Sequence, residues 1–84
     1  MITEVNEPVK VGAIFGDKKK KLRPVWFVWS NQEYRIREIT YIWKERAGEA
    51  VVYYFTVTDN VNLFTISYNT ETLIWTLHSI EMAG

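Results

Sequence analysis

The feature that most constrains this chain is a series of short runs rich in Val, Ile, Thr, Tyr, Phe and Trp, separated by turn residues. Such residues favour strands, and turns spaced roughly 8 to 14 positions apart are typical of antiparallel sheets. The pattern therefore predicts an all-β fold. Six strands are expected, near Val9–Phe15, Leu22–Ser30, Glu33–Trp43, Ala50–Thr58, Val61–Tyr68 and Leu73–Ile80.

The turns between these runs predict how neighbouring strands align. A two-residue turn at Asn31-Gln32 predicts cross-strand pairs of Trp29 with Tyr34, Phe27 with Ile36, Val28 with Arg35 and Trp26 with Arg37. A three- to five-residue loop around Arg46-Ala47-Gly48, with a positive φ at Gly48, predicts pairs of Trp43 with Val51, Tyr41 with Tyr53 and Ile39 with Phe55. Turns at Asp59-Asn60 and Asn69–Thr72 predict pairs of Phe55 with Phe64 and Ile66 with Trp75.

The third run changes its alternation along its length. Its large apolar residues move from even positions (Tyr34, Ile36) to odd ones (Ile39, Trp43), which a regular strand of period two cannot accommodate. A β-bulge near Arg37-Glu38 restores the alternation and bends the strand. We therefore expect an antiparallel six-stranded meander that is strongly curved or a partly closed barrel. The alternative is a short helix over Ile39–Ala47, which the aromatic and β-branched residues disfavour.

One small domain accounts for the 84 residues. It is expected over residues 9–80, between a flexible N-terminal tail at 1–8 and a C-terminal tail at 81–84. The alternation on one face of the predicted sheet gives its core. The expected core residues are Phe27, Trp29, Tyr34, Ile36, Tyr41, Trp43, Tyr53, Phe55, Val57, Phe64, Ile66, Trp75 and Leu77.

Composition excludes several classes of function. Ten basic side chains balance ten acidic ones, so no overall field attracts nucleic acid or an anionic membrane. The chain has no cysteine, which removes disulfides, zinc-thiolate sites and thiol catalysis. It also lacks a signal-peptide pattern and any apolar run of about 18 residues, so we expect a cytoplasmic protein that does not span a membrane.

No pattern of catalytic residues is visible. The single histidine, His78, is expected on the face opposite Trp75 and Leu77, with no Ser, Cys or second His at a recognised spacing. The glycines form no phosphate-binding loop, and the carboxylates lie mostly at turns and strand ends. We therefore expect no enzyme activity, no metal and no cofactor.

Two features point to binding instead. The run Lys18, Lys19, Lys20 and Lys21, followed by Arg23, is the densest charge in the chain and suits contact with phosphates, although a solvated turn also explains it. The face opposite the core should carry Trp26, Val28, Arg35, Arg37, Ile42, Val52 and Tyr54. Trp26 beside an arginine could accept a nucleobase, whereas the apolar members of this face could dock a protein partner or a second copy.

The residues Arg23–Trp29, Tyr34–Ile39 and Trp43 carry a pattern of Arg-Pro-x-x-Phe-x-Trp, a turn, Tyr-x-Ile-x-Glu and a Trp. This pattern resembles a family of short bacterial proteins of unknown function. Relatives tend to have a basic residue and a glycine turn where this chain has Val28 and Asn31-Gln32. Members of that family are encoded beside, or fused to, proteins resembling translesion DNA polymerases. The resemblance implies an accessory role near DNA. The basic run and the face opposite the core predict, separately, a non-enzymatic module that binds nucleic acid or a partner through Lys18–Lys21, Arg23, Trp26, Arg35, Arg37 and Tyr54.

Overall fold

The fold, taken from a computed structural model that describes residues 1–16 and 22–82, is a single antiparallel sheet of seven strands. The strands are β1 (Ile2–Ile14), β2 (Arg23–Trp29), β3 (Gln32–Arg35), β4 (Glu38–Ala47), β5 (Ala50–Thr58), β6 (Asn62–Asn69) and β7 (Trp75–Met82). Their order across the sheet is β3-β2-β1-β7-β6-β5-β4. The predicted all-β antiparallel fold is confirmed, and the alternative of a short helix over Ile39–Ala47 is wrong, because these residues belong to β4.

The strand count differs from the predicted six because the third run is divided into two strands. The N–H of Ile36 donates to Val25 O of β2, and the N–H of Arg37 donates to Thr58 O of β5. Two neighbouring residues thus bond to opposite parts of the sheet, so the chain leaves one edge and enters the other. The sheet is therefore curled. It is not closed into a barrel, because β3 and β4 do not pair with each other.

β1 connects two meanders, β1-β2-β3 and β4-β5-β6-β7. Its first half pairs with β7 from Ile2↔Glu81 to Val9↔Trp75, and its second half pairs with β2 from Lys10 onward. The expected N-terminal tail at 1–8 is therefore mostly strand. Pro8 is compatible with this strand because it lies in the half that pairs with β7 alone, where a missing N–H is tolerated. At the other terminus β7 continues to Met82, beyond the predicted end at Ile80.

The core lies on the concave side of the curled sheet. The buried cluster consists of Phe27, Phe55, Val57, Phe64, Ile66, Tyr68, Trp75, Leu77 and Ile80. Seven of the predicted core residues belong to it, and Trp29, Tyr34, Ile36 and Tyr53 pack against it while partly buried. Two predicted core residues, Tyr41 and Trp43, are absent from the cluster, and Tyr41 is 64% exposed.

The β4–β5 hairpin explains the error at Tyr41 and Trp43. Gly48 has the expected positive φ of 63°, but only Gly48 and Glu49 separate the paired residues Ala47 and Ala50. This shorter turn places Trp43 opposite Tyr54, where Val51 was predicted. Because the shift is odd, it moves the aromatic residues of β4 to the outer face of the sheet.

The other hairpins were shifted by an even number of residues. The turn after β2 is formed by Ser30 and Asn31, both with positive φ, so Phe27 pairs with Tyr34 where Ile36 was predicted. Phe55 likewise pairs with Ile66 where Phe64 was predicted. An even shift changes the partners but keeps every side chain on its predicted face, so these core predictions hold.

Gly12 offers a test of the packing on the outer face. A Cβ at this position would overlap the indole of Trp26, its direct cross-strand neighbour. We expect Gly12→Ala to lower the free energy of unfolding by about 1–3 kcal/mol, as overpacking does. Urea denaturation of Gly12→Ala, Trp26→Ala and the double variant measures it. The double variant should be more stable than the sum of the single effects predicts, and strict additivity would contradict the overlap.

Candidate binding site

A basic and aromatic surface lies on the outer face of β1, β2 and β3. Trp26 pairs directly with Gly12 on one side and with Arg35 on the other. Because Gly12 has no side chain, the indole lies over the backbone of β1. Trp26 is only partly buried there. Its position leaves part of the ring accessible to a ligand.

Basic side chains share the outer face with this indole. Lys10 lies two residues before Gly12 and is exposed on the same face, since the intervening Val11 packs against the core. Arg23 is exposed and pairs with Ile14 at the start of β2, again on the outer face because Ala13 and Pro24 point inward. We call Lys10, Arg23, Trp26 and Arg35 the Trp26 platform.

Glu33 is the one acidic residue of β3 beside this platform. Its carboxylate lies 3.7 Å from the guanidinium of Arg35, and both side chains are more than half exposed. A long, exposed ion pair of this kind contributes little, about 0–1 kcal/mol. Lys10 and Arg23 therefore leave the platform with an excess of positive charge, although the whole chain is neutral.

The structure separates the residues that the sequence grouped into one site. Trp26 and Arg35 are cross-strand neighbours, whereas the predicted neighbour was Arg37, which lies at the corner where β3 passes to β4. Tyr54 lies on β5, with β1, β7 and β6 between it and β2. Lys18–Lys21 lie outside the described residues. Lys10 was missed, although its place between Val9 and Val11 in an alternating strand was a usable signal.

A row of neighbouring aromatic rings crosses the outer face of the other meander. Trp43 and Tyr54 stack at 5.1 Å with an interplanar angle of 9°, Tyr41 lies 5.4 Å from Trp43, and His78 lies 5.4 Å from Tyr54. We call Tyr41, Trp43, Tyr54 and His78 the aromatic row. The rings of Trp43, Tyr54 and His78 stack on one another, and such cross-strand pairs stabilise a sheet. The shortness of the Gly48-Glu49 turn was the signal that could have placed Tyr41 and Trp43 here.

His78 is held by hydrogen bonds on both ring nitrogens. The Asn6 amide donates from Nδ2 to Glu4 Oε1 (3.3 Å), which turns Asn6 Oδ1 toward His78 Nδ1 at 3.3 Å. Because Oδ1 can only accept, Nδ1 carries the proton, and the Ser67 hydroxyl donates to Nε2 at 2.7 Å. Asn6 has a positive φ of 53°, and the register shifts at His78 on both sides of β7. Two strand irregularities therefore build this arrangement.

A serine, a histidine and an asparagine in this order resemble the geometry of nucleophilic catalysis. The setting of Ser67 differs from that chemistry in two respects. Ser67 is only 5% exposed, so a substrate has little access to its hydroxyl. It also lies in the middle of β6, between β5 and β7, where ladder hydrogen bonds occupy the peptide N–H groups that an oxyanion would need. The arrangement orients a neutral imidazole against Tyr54.

An open cleft lies at one end of the concave side, with a volume of about 540 Å³. Apolar and aromatic side chains from several strands line it, and Lys44 and Thr70 supply polar groups.

Residues 1–16 and 22–82 contain no group of three or more His, Asp or Glu that could hold a metal ion. No helix in the same part of the chain has the length and hydropathy to cross a membrane.

Comparison with known proteins gives no match. No protein-family model, no curated protein and no solved structure matches the chain. The resemblance to the polymerase-associated family therefore stays a prediction.

Burial lowers the pKa of His78 below its ordinary 6.5, and the nearby Glu4 carboxylate opposes this only in part. The unfolded chain therefore binds a proton at higher pH than the folded one, so acid should reduce the free energy of unfolding as pH falls through 6.5. We expect the imidazole resonances to titrate below 6.5 by NMR. Urea denaturation at roughly pH 7.5 and 5.5 should show a loss of stability that is smaller in His78→Gln. An equal loss in the variant would contradict the assignment.

Proposed function

We propose that this protein is a non-enzymatic module that binds single-stranded nucleic acid on the Trp26 platform, as an accessory of DNA-handling proteins. The carrying observation is the position of the Trp26 indole over Gly12, with Arg35 as its direct cross-strand neighbour. A partly exposed indole can stack on any base, and stacking contributes about 1–3 kcal/mol per base.

The charges around the indole support the same ligand. Lys10, Arg23 and Arg35 are exposed on three adjacent strands, and only Arg35 has a carboxylate within ion-pair distance among the described residues. A cationic surface around a stacking ring is the usual combination in proteins that bind single strands without sequence preference. The resemblance to polymerase-associated proteins adds a biological context for such a ligand.

Binding should be measured by amide chemical shifts and fluorescence anisotropy with a labelled oligodeoxythymidylate, at low and then moderate salt. We expect shifts at Lys10, Arg23, the Trp26 indole and Arg35, and an affinity that falls as salt rises. Trp26→Ala should weaken binding at least about fivefold, because the stacked base loses its platform. Tyr41→Ala, which removes an exposed ring from the same outer face but from the aromatic row, is the matched control and should bind normally.

Charge is tested by a second pair of variants. Lys10→Gln should weaken binding to all sequences and reduce the slope of log affinity against log salt by about 0.7 to 1. Lys44→Gln makes the same charge change beside the cleft, on the concave side, and should leave binding unchanged. Absent or salt-independent binding would refute the proposal. Loss of binding in Tyr41→Ala but not in Trp26→Ala would move the site to the aromatic row.

A further inference from the structure

The cleft on the concave side is separate from the Trp26 platform and has its own chemistry. Its apolar lining includes Tyr53 and Phe55 from β5, Tyr68 from β6, and Phe15 from the end of β1. A volume of about 540 Å³ lies within the range of roughly 300–1,000 Å³ that is usual for small-molecule sites. The cleft is therefore large enough for a small organic ligand.

Apolar side chains at the cleft remain exposed to solvent. Phe15 is 64% exposed and Ile42 is 45% exposed, although the rings of Phe15 and Tyr68 make a T-shaped contact at 5.9 Å. Both side chains line the cleft, together with Leu22, which lies directly before β2. Covering such surface with an apolar ligand is favourable, because it removes apolar area from water. The lining thus selects a ligand with a flat or aliphatic apolar body.

Charge defines the other end of that ligand. Lys44 lines the cleft and, within residues 1–16 and 22–82, has no carboxylate within ion-pair distance. The Thr70 hydroxyl is not available as a donor to a ligand, because it already donates to Val51 O at 2.7 Å. An uncompensated ammonium beside an apolar wall favours an anionic group on the bound molecule.

We propose that this cleft binds a small amphipathic anion, an aromatic or aliphatic body that carries a carboxylate or sulfonate, with the body against Tyr53, Tyr68 and Phe15 and the anion on Lys44. This site is independent of the nucleic-acid proposal. The platform lies on the outer face of β1–β3, and the cleft opens on the concave side. The two sites therefore use different residues.

The experiment uses two probes of similar shape, the anion 1-anilinonaphthalene-8-sulfonate and the uncharged N-phenyl-1-naphthylamine. Both should bind the folded protein saturably at one site, with enhanced probe fluorescence and amide shifts at Ile42, Tyr53, Tyr68 and Thr70. Lys44→Gln should weaken the anion at least about fivefold and leave the uncharged probe within about twofold, because only the anion uses the ammonium. Lys10→Gln, the matched control on the outer face, should change neither affinity.

Three results would overturn the proposal. The first is absence of saturable binding, and the second is anion affinity that Lys44→Gln does not change. The third is a set of amide shifts that lies away from the cleft. Retained far-ultraviolet dichroism and a cooperative urea transition in each variant exclude binding to a partly unfolded state, which such dyes also report. Because Lys10→Gln and Lys44→Gln have opposite expected effects on oligonucleotide and dye, failure of either proposal is distinguishable from failure of the other.

Discussion

Two adjacent backbone hydrogen bonds determine the shape of this molecule. Ile36 donates to β2 and Arg37 donates to β5, so consecutive residues tie together the two edges of a seven-stranded sheet at one corner. A sheet held in this way must curl. The concave side then buries Phe27 against Phe64 and Tyr34, with ring centroids at 5.0 and 5.1 Å from Phe27, and the cleft lies at one end of that side. The outer face is left for the platform and the aromatic row.

The sequence predicts the strands and most of the core because alternation is a property of each strand alone. The predicted pairings failed where the length of a turn decides them. Turns shifted by two residues after β2 and β5 kept Phe27 and Phe55 in the core, whereas the two-residue turn at Gly48-Glu49 moved Trp43 to the outer face. An even error in the register leaves each side chain on its predicted face, whereas an odd error moves it to the opposite face. Turn length was therefore the missing information.

Alternation within single strands also predicted part of the candidate site. Trp26 and Arg35 were placed on the outer face by alternation and were found there as neighbours. Gly12 could not be recognised as the support of the indole, because the pairing of β1 with β2 depends on long-range register. The partners of His78 come from Asn6 and Ser67, 72 and 11 residues away, and depend on two irregularities that no local pattern shows. Contacts between distant strands could not be predicted, because they depend on long-range register and on strand irregularities that the sequence alone does not show.

The two groups of exposed aromatic residues differ in what they leave open. In the aromatic row each ring lies 5.1 to 5.4 Å from the next, so a base that enters beside Tyr54 would have to separate it from Trp43 or His78, with which it already stacks. Separation would cost roughly the 0.5–1.5 kcal/mol that each pair contributes beyond burial. Trp26 has a glycine backbone beneath it, and the described residues place no ring against its other side. A stacking ligand therefore loses no ring contact when it binds at Trp26. At Trp43 its stacking energy is reduced by the energy of the ring pair that it separates. The surrounding cations act in the same direction, because Lys10 and Arg23 lie near Trp26, whereas Glu45 accepts a hydrogen bond from the Trp43 indole at 3.2 Å.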